Sequence, residues 1–237
     1  VMGEGVTVVD CTFDIEEQDD DFTGDILRNA LDRIRSQAEI AVSSGREHIV
    51  LTDEHQGPNR APIPMILAVG AVHSHLVAKG LRTFCSLTVR SAECLDTHYY
   101  AVLIGVGATC VNAYLAQEAI LDRLDRGLLG DDMTVEKALS NHKKSIEAGL
   151  LKILSKMGIS VISSYRGGYN FEALGLSRAL CADYFPGMTS KISGIGLSGL
   201  EQKALDLHAR TWDEDIRTLP VGGFYRIRRT GERHALT

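Results

Sequence analysis

Polar and ionisable side chains follow four predicted strands, each at the point where the strand ends. The four segments are TDEHQGPNR (52–60), RSAECLDTH (90–98), NAY (112–114) and SSYRGG (163–168). The carboxyl ends of neighbouring parallel strands share one edge of a sheet, and ligands of α/β proteins bind there. If the strands are adjacent, one rim holds groups suited to acid–base chemistry or anion binding. The candidates are Asp53, Glu54, His55, Arg60, Arg90, Ser91, Glu93, Asp96, His98, Asn112, Tyr114, Ser163, Ser164, Tyr165 and Arg166.

The segment GISVISSYRGG (158–168) runs from a strand-like stretch into two glycines, and the helix-like YNFEALGL follows. Backbone N–H groups at a helix start, together with an arginine, can bind an anion. The anion-binding candidates are Ser164, Arg166, Gly167 and Gly168. Alternatively, the glycines only supply unusual dihedrals in a tight turn, and Arg166 pairs with an acid. Neither GxGxxG nor GxxxxGK[ST] occurs, so both interpretations stay open.

Other pairs and runs have plainer interpretations. His73 and His75 lie in a predicted helix, where positions i and i+2 face different ways, which argues against a shared metal. His98 beside Glu93 and Asp96 is either an acid–base cluster or an ordinary polar loop. The segment GLSGL (196–200) follows no predicted strand, so it predicts a loop before a helix rather than a nucleophile elbow.

The five cysteines are widely spaced and form no CxxC pair. This pattern favours reduced, buried thiols over a disulfide framework, a zinc site or an iron–sulfur site. The residues are Cys11, Cys85, Cys94, Cys110 and Cys181.

Hydrophobic periodicity predicts alternating strands and helices. The predicted strands span 5–13, 48–53, 82–90, 108–115 and 160–165. The predicted helices span 23–45, 62–80, 116–129, 134–158, 170–185 and 199–215, with a short one inside 91–107. Thr23 is the expected N-cap of the first helix, and Gly45 its expected stop. The alternation predicts an α/β fold with a mainly parallel sheet, either doubly wound or a (β/α)8 barrel, complete or open.

Composition narrows the class of protein. The net charge of −6 argues against general affinity for nucleic acid or for an anionic membrane. No apolar run reaches the roughly 18 residues that cross a bilayer, and no signal peptide is evident. The start, VMGEGVTVVD, places Met second before an immediate strand pattern, which favours a segment of a longer polypeptide. We expect a cytoplasmic protein.

Long stretches of the chain resemble the large subunit of glutamate synthase from about Leu27 to Ala235. The resemblance rests on APIPMILAVGAVHSHLVAKGLRT, RSAECLDTHYYAVLIGVGATCVNAYLA, GLLKILSKMGISVISSYRGGYNFEALGLSRALCADYFPGMTSKISGIGL and the closing GGFYRIRRTGERHA. It implies that residues 1–215 are the later part of that enzyme's central domain. Residues 216–237 then form an arginine-rich connector toward its FMN-binding domain.

The resemblance also implies a function for the parent enzyme. In that family a glutaminase domain releases ammonia, which passes through a tunnel to an FMN site where 2-oxoglutarate becomes glutamate. The chain lacks the glutaminase's N-terminal cysteine, the clustered cysteines of the 3Fe–4S centre and the glycine-rich flavin stretch. We therefore expect no catalytic residue, metal or cofactor in this segment, and no turnover by it alone.

The expected role is structural. The segment would join the glutaminase and FMN domains of one polypeptide, with a small NADPH-oxidising subunit as partner, and an NADPH-type parent is favoured over a ferredoxin-type one. A tunnel wall needs small neutral polar side chains. The candidates are Ser86, Thr88, Ser91, Thr97, Ser163 and Ser164. An autonomous flavin- or phosphate-binding (β/α) enzyme that uses residues 163–168 is the alternative.

Overall fold

The fold is an α/β arrangement built on parallel strands. The computed structural model describes residues 5–15, 22–130 and 132–216. In chain order its elements are β1 (Val6–Asp10), β2 (Thr12–Asp14), α1 (Asp25–Ser43), β3 (His48–Thr52), β4 (Arg60–Pro62), α2 (Met65–Ala78), β5 (Ser86–Arg90), α3 (Thr97–Gly105), β6 (Cys110–Asn112), α4 (Tyr114–Asp125), α5 (Val135–Met157), β7 (Glu172–Leu176), α6 (Arg178–Tyr184), β8 (Thr189–Ile195) and α7 (Leu197–Thr211).

The main sheet has four parallel strands in the order β1-β3-β5-β6. Each connection between neighbouring strands contains a helix, as parallel pairing requires. A doubly wound sheet would reverse its strand order, whereas sequential order is that of a (β/α) barrel. Within the described residues the strands do not close on themselves, so the predicted α/β fold is confirmed in its open, incomplete barrel-like form.

The two faces of this sheet differ. One face carries side chains that are fully or almost fully buried under the helices, among them Val9, Ile49, Leu51, Leu87 and Val89. The opposite face carries side chains in register across the strands that remain partly exposed, in the described part of the chain. They are Val8, Val50, Ser86, Thr88 and Arg90. Among the described residues, the helices therefore pack mainly against one face of the sheet.

Helix α1 begins without a side-chain cap of its own. Its N-cap is Gly24, not Thr23 as expected, although the hydroxyl of Thr23 accepts a weak bond from the backbone N–H of Asp25. The carboxylate of Glu201, on α7, accepts hydrogen bonds from the N–H groups of Gly24 (3.1 Å) and Leu27 (2.8 Å). The first turn of a helix has unpaired N–H groups and a partial positive charge, which this buried carboxylate satisfies. The expected stop is confirmed, since Gly45 has a left-handed φ of 83°.

The region after α5 differs from the sequence prediction. Residues 160–165 form no strand: Ile162–Ser164 is a short 3-10 turn, and the N–H groups of Tyr165 and Arg166 bond back to the carbonyl of Ile162. Local bonds satisfy this backbone, so no sheet partner is needed.

The predicted helix over 170–185 is also wrong in its first half. Residues Glu172–Leu176 form β7, which pairs in parallel with β8, and α6 begins only after Ser177, whose hydroxyl caps it. Gly175 has a left-handed φ of 76°, which a helix does not accept. Strand β8 was not predicted. The segment 196–200, predicted as a loop that follows no strand, comes directly after β8 and forms the N-cap and first turn of α7.

The cysteines occupy three kinds of environment. Cys11, Cys94 and Cys181 are buried, Cys85 is half-buried and Cys110 is exposed, and all five are free thiols. The prediction of buried thiols is therefore wrong for Cys110. Burial raises the pKa of Cys94 to about 12, which keeps this thiol protonated and unreactive.

Among the residues described, none of the helices has the length and apolar character needed to pass through a membrane. The arginine-rich connector, apart from Ile216, and most of the acidic run near the amino end lie outside the described residues.

Candidate functional site

The carboxyl ends of β3, β5 and β6 meet at one rim, as the sequence predicted. Asp53 is buried there and accepts hydrogen bonds from the hydroxyl of Ser91 (2.9 Å) and from the N–H of Ala92 (3.0 Å). The N–H of Ser91 in turn donates to the carbonyl of Asn112 (3.0 Å). Burial raises the pKa of Asp53, although these bonds and one from Tyr114 oppose the shift. Asp53, at the end of β3, is thus bonded to the segment after β5, and the backbone of that segment is bonded in turn to the end of β6.

Ion pairs of two arginines extend the rim. Arg90 donates to Glu54 (2.6 Å), whose other oxygen accepts from the hydroxyl of Thr52 (2.9 Å). Arg60 donates to Asp10 (2.9 Å) at the end of β1 and also contacts Asp14. These partly exposed pairs each contribute little stability, about 0–1 kcal/mol. Because these side chains are paired with one another, their charges are not free to bind a substrate.

Glu93 is a second carboxylate of the rim and is partly buried. It accepts a hydrogen bond from the N–H of Met65 (3.0 Å) at the start of α2 and one from the hydroxyl of Tyr99. Helix α2 has no side-chain cap of its own because Pro64 stands at its N-cap. Burial raises the pKa of Glu93. Glu93 therefore caps the amino end of α2, as Glu201 caps the amino end of α1.

The proposed acid–base cluster around Glu93 is not assembled. The carboxylate of Asp96 caps α3 by accepting from the N–H of Tyr99 (2.9 Å), and His98 is exposed. Glu93 instead faces α2. The carboxylates of Asp10, Asp53, Glu54 and Glu93 each have internal hydrogen-bond donors. The rim carboxylates are thus held in internal hydrogen bonds and do not form an open acid–base pair.

Residues Ser163–Arg166 do not join this rim. Arg166 lines a cavity of about 310 Å³ together with Ser86 and Thr109, which stand at the amino ends of β5 and β6. The expectation of one common rim is therefore wrong for this loop. The reason is that the segment before it is not a strand of the sheet, so its end is not held at the carboxyl edge.

The backbone of this loop offers no free anion nest. The N–H of Arg166 donates to Ile162, that of Gly167 to Ile104 (3.1 Å) and that of Gly168 to Tyr165 (3.0 Å), each time to a carbonyl oxygen. Gly167 has a left-handed φ of 69°, and an added Cβ would lie 3.0 Å from the ring of His73. Gly167 thus serves the turn and its close approach to α2.

His73 and Arg82 form the wall that faces Arg166. The Nε of Arg82 donates to the Nδ1 of His73 (3.0 Å), and its other nitrogens donate to the carbonyls of Cys85 (2.6 Å) and Gly107 (2.9 Å). Burial, followed by the charges of Arg82 and Arg166, lowers the pKa of His73 to about 4. The sequence analysis weighed His73 only as half of a metal-binding pair and argued against that role, and it did not identify Arg82, which belongs to no motif.

The neutral state of His73 predicts a stability loss in acid. The pKa is about 4 in the folded protein against 6.5 for a free histidine, so the neutral ring stabilises the fold above about pH 6.5. That contribution is lost as the pH falls toward 4. We expect the His73→Asn variant to lose less stability than the parent between pH 6.5 and pH 4.5, measured as urea midpoints. Comparison with His98→Asn, at an exposed site, removes effects of charge alone.

Asp53 and Glu93 act in the opposite direction, because their raised pKa values favour proton binding in the folded protein. Both residues are present in the parent and in the variant, so their contribution cancels when the urea midpoints of the two proteins are subtracted at each pH. An unchanged pH dependence in His73→Asn would contradict the neutral-ring assignment.

The six tunnel candidates occupy separate places. Ser86 and Thr88 lie on the uncovered face of β5, and Ser91 is buried against Asp53. Thr97 packs closely against Gly149 on α5, so that a Cβ added to this glycine would overlap the Thr97 side chain. Ser163 and Ser164 are exposed on the 3-10 turn. The six residues therefore form no common wall within the described structure.

Comparison with known proteins assigns the family. The family described as the glutamate synthase central domain matches residues 2–177 of the chain. The chain belongs to the glutamate synthase central-domain family. The matched range contains the parallel sheet, the rim carboxylates, α5 and the 163–168 turn. Strand β8 and the Glu201 cap lie beyond it.

Complete relatives of this central domain are much longer. The chain is 60% identical over 233 residues to the NADPH glutamate synthase large chain of Azospirillum brasilense, covering 98% of this chain and 15% of the relative. It is 41% identical over 215 residues to the corresponding protein of Bacillus subtilis (strain 168), covering 90% and 14%. It is 40% identical over 220 residues to ferredoxin-dependent glutamate synthase 2 of Synechocystis, covering 88% and 14%. The chain thus spans about one seventh of the length of these relatives.

Proposed function

We propose that this central domain works as a linking segment inside a glutamate synthase large subunit. The supporting observation is that similarity extends over 98% of the chain while covering only 15% of a relative named as that large chain. Residues 1–215 would be the domain segment, and residues 216–237 the connector toward an FMN-binding domain. Helix α7 ends at Thr211, just before that boundary.

The complete protein would make L-glutamate from L-glutamine and 2-oxoglutarate in the cytoplasm. Its partners would be a glutaminase domain and an FMN domain of the same polypeptide, and a small NADPH-oxidising subunit. The 60% identity to an NADPH-type relative, against 40% to a ferredoxin-dependent one, supports the NADPH-type parent.

FMN and a 3Fe–4S cluster would be bound elsewhere in the parent subunit. An iron–sulfur cluster needs several cysteine thiolates close together. In the described part of the chain, no three metal-binding side chains cluster, and the cysteines lie in separate environments. These residues do not fit such a cluster.

The geometry of the rim supports a structural role over an autonomous enzyme. The carboxyl edge of a parallel sheet is where α/β enzymes present their reactive groups. Here Asp53 bonds the end of β3 to the segment after β5, and Glu93 caps α2. These carboxylates hold the scaffold in shape, and the proposal assigns them no substrate.

The uncovered sheet face supports a role next to the ammonia passage. On β5, Thr88 lies beside Val50 and Ser86 lies beside His48, whose Nδ1 is 2.8 Å from the Ser86 hydroxyl, and the side chains of Ser86 and Thr88 are partly exposed. Small neutral groups of this kind neither protonate ammonia nor bind it tightly. We place Ser86 and Thr88 first among the candidates, while Ser91, Thr97, Ser163 and Ser164 remain proposals.

Enlarging Thr88 in the complete large subunit tests this role. In a Thr88→Leu variant the larger side chain would narrow the passage. We expect less glutamate per glutamine hydrolysed and more ammonia in solution, at an unchanged glutaminase rate. The measurement is the ratio of the two products in one reaction mixture.

Ser155 provides the matched control, because it is an exposed serine on α5 away from this face. Ser155→Leu is expected to keep the product ratio of the parent. The same substitution at Ser163 and Ser164 tests the turn as a second wall. An unchanged ratio in the Thr88 variant would remove β5 from the passage.

A further inference from the structure

A second, positively charged pocket lies at the amino end of the sheet. The cavity of about 310 Å³ is lined by Arg82, Arg166, His73, Ser86 and Thr109, among others. Two guanidinium groups thus face one small space. Neither arginine forms a salt bridge with a carboxylate of the described residues.

The charge of Arg82 is held in place by neutral groups. Its hydrogen bonds run to the carbonyl oxygens of Cys85 and Gly107, to His73 and to the hydroxyl of Thr109 (3.3 Å). These acceptors fix the orientation of the guanidinium without cancelling its charge. Burial and the neighbouring charge of Arg166 lower the pKa of Arg82. A half-buried cation without a counter-ion is costly, and an anion would relieve that cost.

The residues that line this cavity also have unused hydrogen-bond donors. A guanidinium has five N–H groups. Arg82 donates one hydrogen bond from Nε, one from Nη1 and two from Nη2. One N–H of Nη1 therefore has no acceptor among the described residues. The side chain of Arg166 has no hydrogen bond among the described residues and is exposed. The hydroxyl of Thr109 accepts from the N–H of Leu87, which leaves its proton available.

His73 adds to the selectivity of this pocket. Its ring is uncharged at neutral pH because its pKa is about 4, and its Nδ1 is occupied by Arg82. The positive charge therefore comes from the two arginines, and it is independent of pH in the neutral range. Paired arginines bind planar or tetrahedral oxyanions through parallel N–H bonds.

We propose that Arg82 and Arg166 bind a small oxyanion, a phosphate or a carboxylate, in this pocket. The site differs from a backbone nest in the 163–168 loop, because the loop's N–H groups are already bonded and the side chains provide the donors. The oxyanion is either a free ion or a carboxylate side chain from another part of the longer polypeptide. Both sources share the same chemistry.

The first experiment measures thermal unfolding of the 237-residue chain with inorganic phosphate and, separately, with acetate. Sodium chloride at matched ionic strength is the reference. We expect at least one of the two anions to raise the midpoint saturably, by about 3–6 °C at ten times its dissociation constant. Arg166→Gln is expected to abolish this shift and Arg166→Lys to weaken it. Arg82 is not used, because its loss would break four structural hydrogen bonds.

The matched control is Arg210→Gln, which removes an exposed arginine from α7. This variant is expected to keep the full shift. Absence of any shift beyond the chloride reference would overturn the proposal, and so would a shift that Arg166→Gln retains.

The source of the anion is decided in the complete large subunit. If a free ion binds, phosphate or acetate still raises the unfolding midpoint, and Arg166→Gln removes that effect. If an internal carboxylate occupies the pocket, neither added anion has an effect, and Arg166→Gln alone lowers the midpoint. The proposal fails if Arg166→Gln changes neither the unfolding midpoint of the large subunit nor the response of that midpoint to added phosphate or acetate.

Discussion

Replacing Glu201 with alanine is expected to lower the free energy of unfolding by about 2–3 kcal/mol. The carboxylate is fully buried and accepts from two N–H groups at the start of α1. Its removal leaves both donors unpaired in a site that water does not reach. The cost is raised further because the N-terminal charge of a 19-residue helix loses its compensation.

The measurement is the thermal midpoint by circular dichroism, which should fall by about 4–12 °C for a chain of this size. Glu201→Gln keeps one acceptor oxygen and should lose about half as much. Gln202→Ala, at the exposed neighbouring position on α7, is the matched control and should stay near the parent midpoint. Equal midpoints for Glu201→Ala and Gln202→Ala would show that the cap contributes nothing.

This cap also shows which features the sequence could not reveal. Glu201 lies 174 residues from Leu27 in the chain, so no window around α1 contains it. The sequence pattern offered Thr23, a residue type that commonly caps helices. Gly24 stands at the cap position with a left-handed φ of 85°, and the carboxylate arrives through tertiary packing.

Periodic segments were predicted well because their signal is local. Helix α1 carries buried residues at helical spacing, including Leu27, Leu31, Ile34 and Ala38. The strands of the main sheet are short apolar runs, and the sheet is open as the sequence allowed. By contrast, β7 and β8 carry glycines and exposed residues, and their pairing is what makes them strands. Pairing partners are not encoded in a single segment.

The same distinction between local signals and tertiary contacts explains which parts of the candidate site were predicted. The rule that strand ends converge correctly brought together Asp53, Ser91 and Asn112. It failed for Arg166 because that rule requires a strand before the loop, and a 3-10 turn is present instead. Arg82 entered no prediction, since its partners are carbonyl oxygens that carry no sequence signal.

Introducing valine at Gly70 is expected to destabilise the fold by about 3 kcal/mol. Gly70 is buried on α2, and a Cβ there would overlap the ring of Phe185 and lie 2.9 Å from the carbonyl oxygen of Tyr184. The residue is the point at which the end of α6 approaches α2. Alanine should cost less, about 1–2 kcal/mol, because its better helix propensity returns up to about 1 kcal/mol. Urea unfolding gives both values.

Gly57 is the matched control for this series, because a Cβ at that position meets no atom within 4 Å and its φ is not left-handed. Gly57→Val is expected to leave the midpoint almost unchanged. A double-mutant cycle then isolates the contact: in a Phe185→Ala background the ring is absent, so Gly70→Val should cost much less than in the parent. An equal cost in both backgrounds would show that the ring is not the obstacle, leaving the carbonyl oxygen of Tyr184 and the helix itself as the source of the cost. A reduced cost would show that Gly70 is required because the ring of Phe185 packs against α2 at this position.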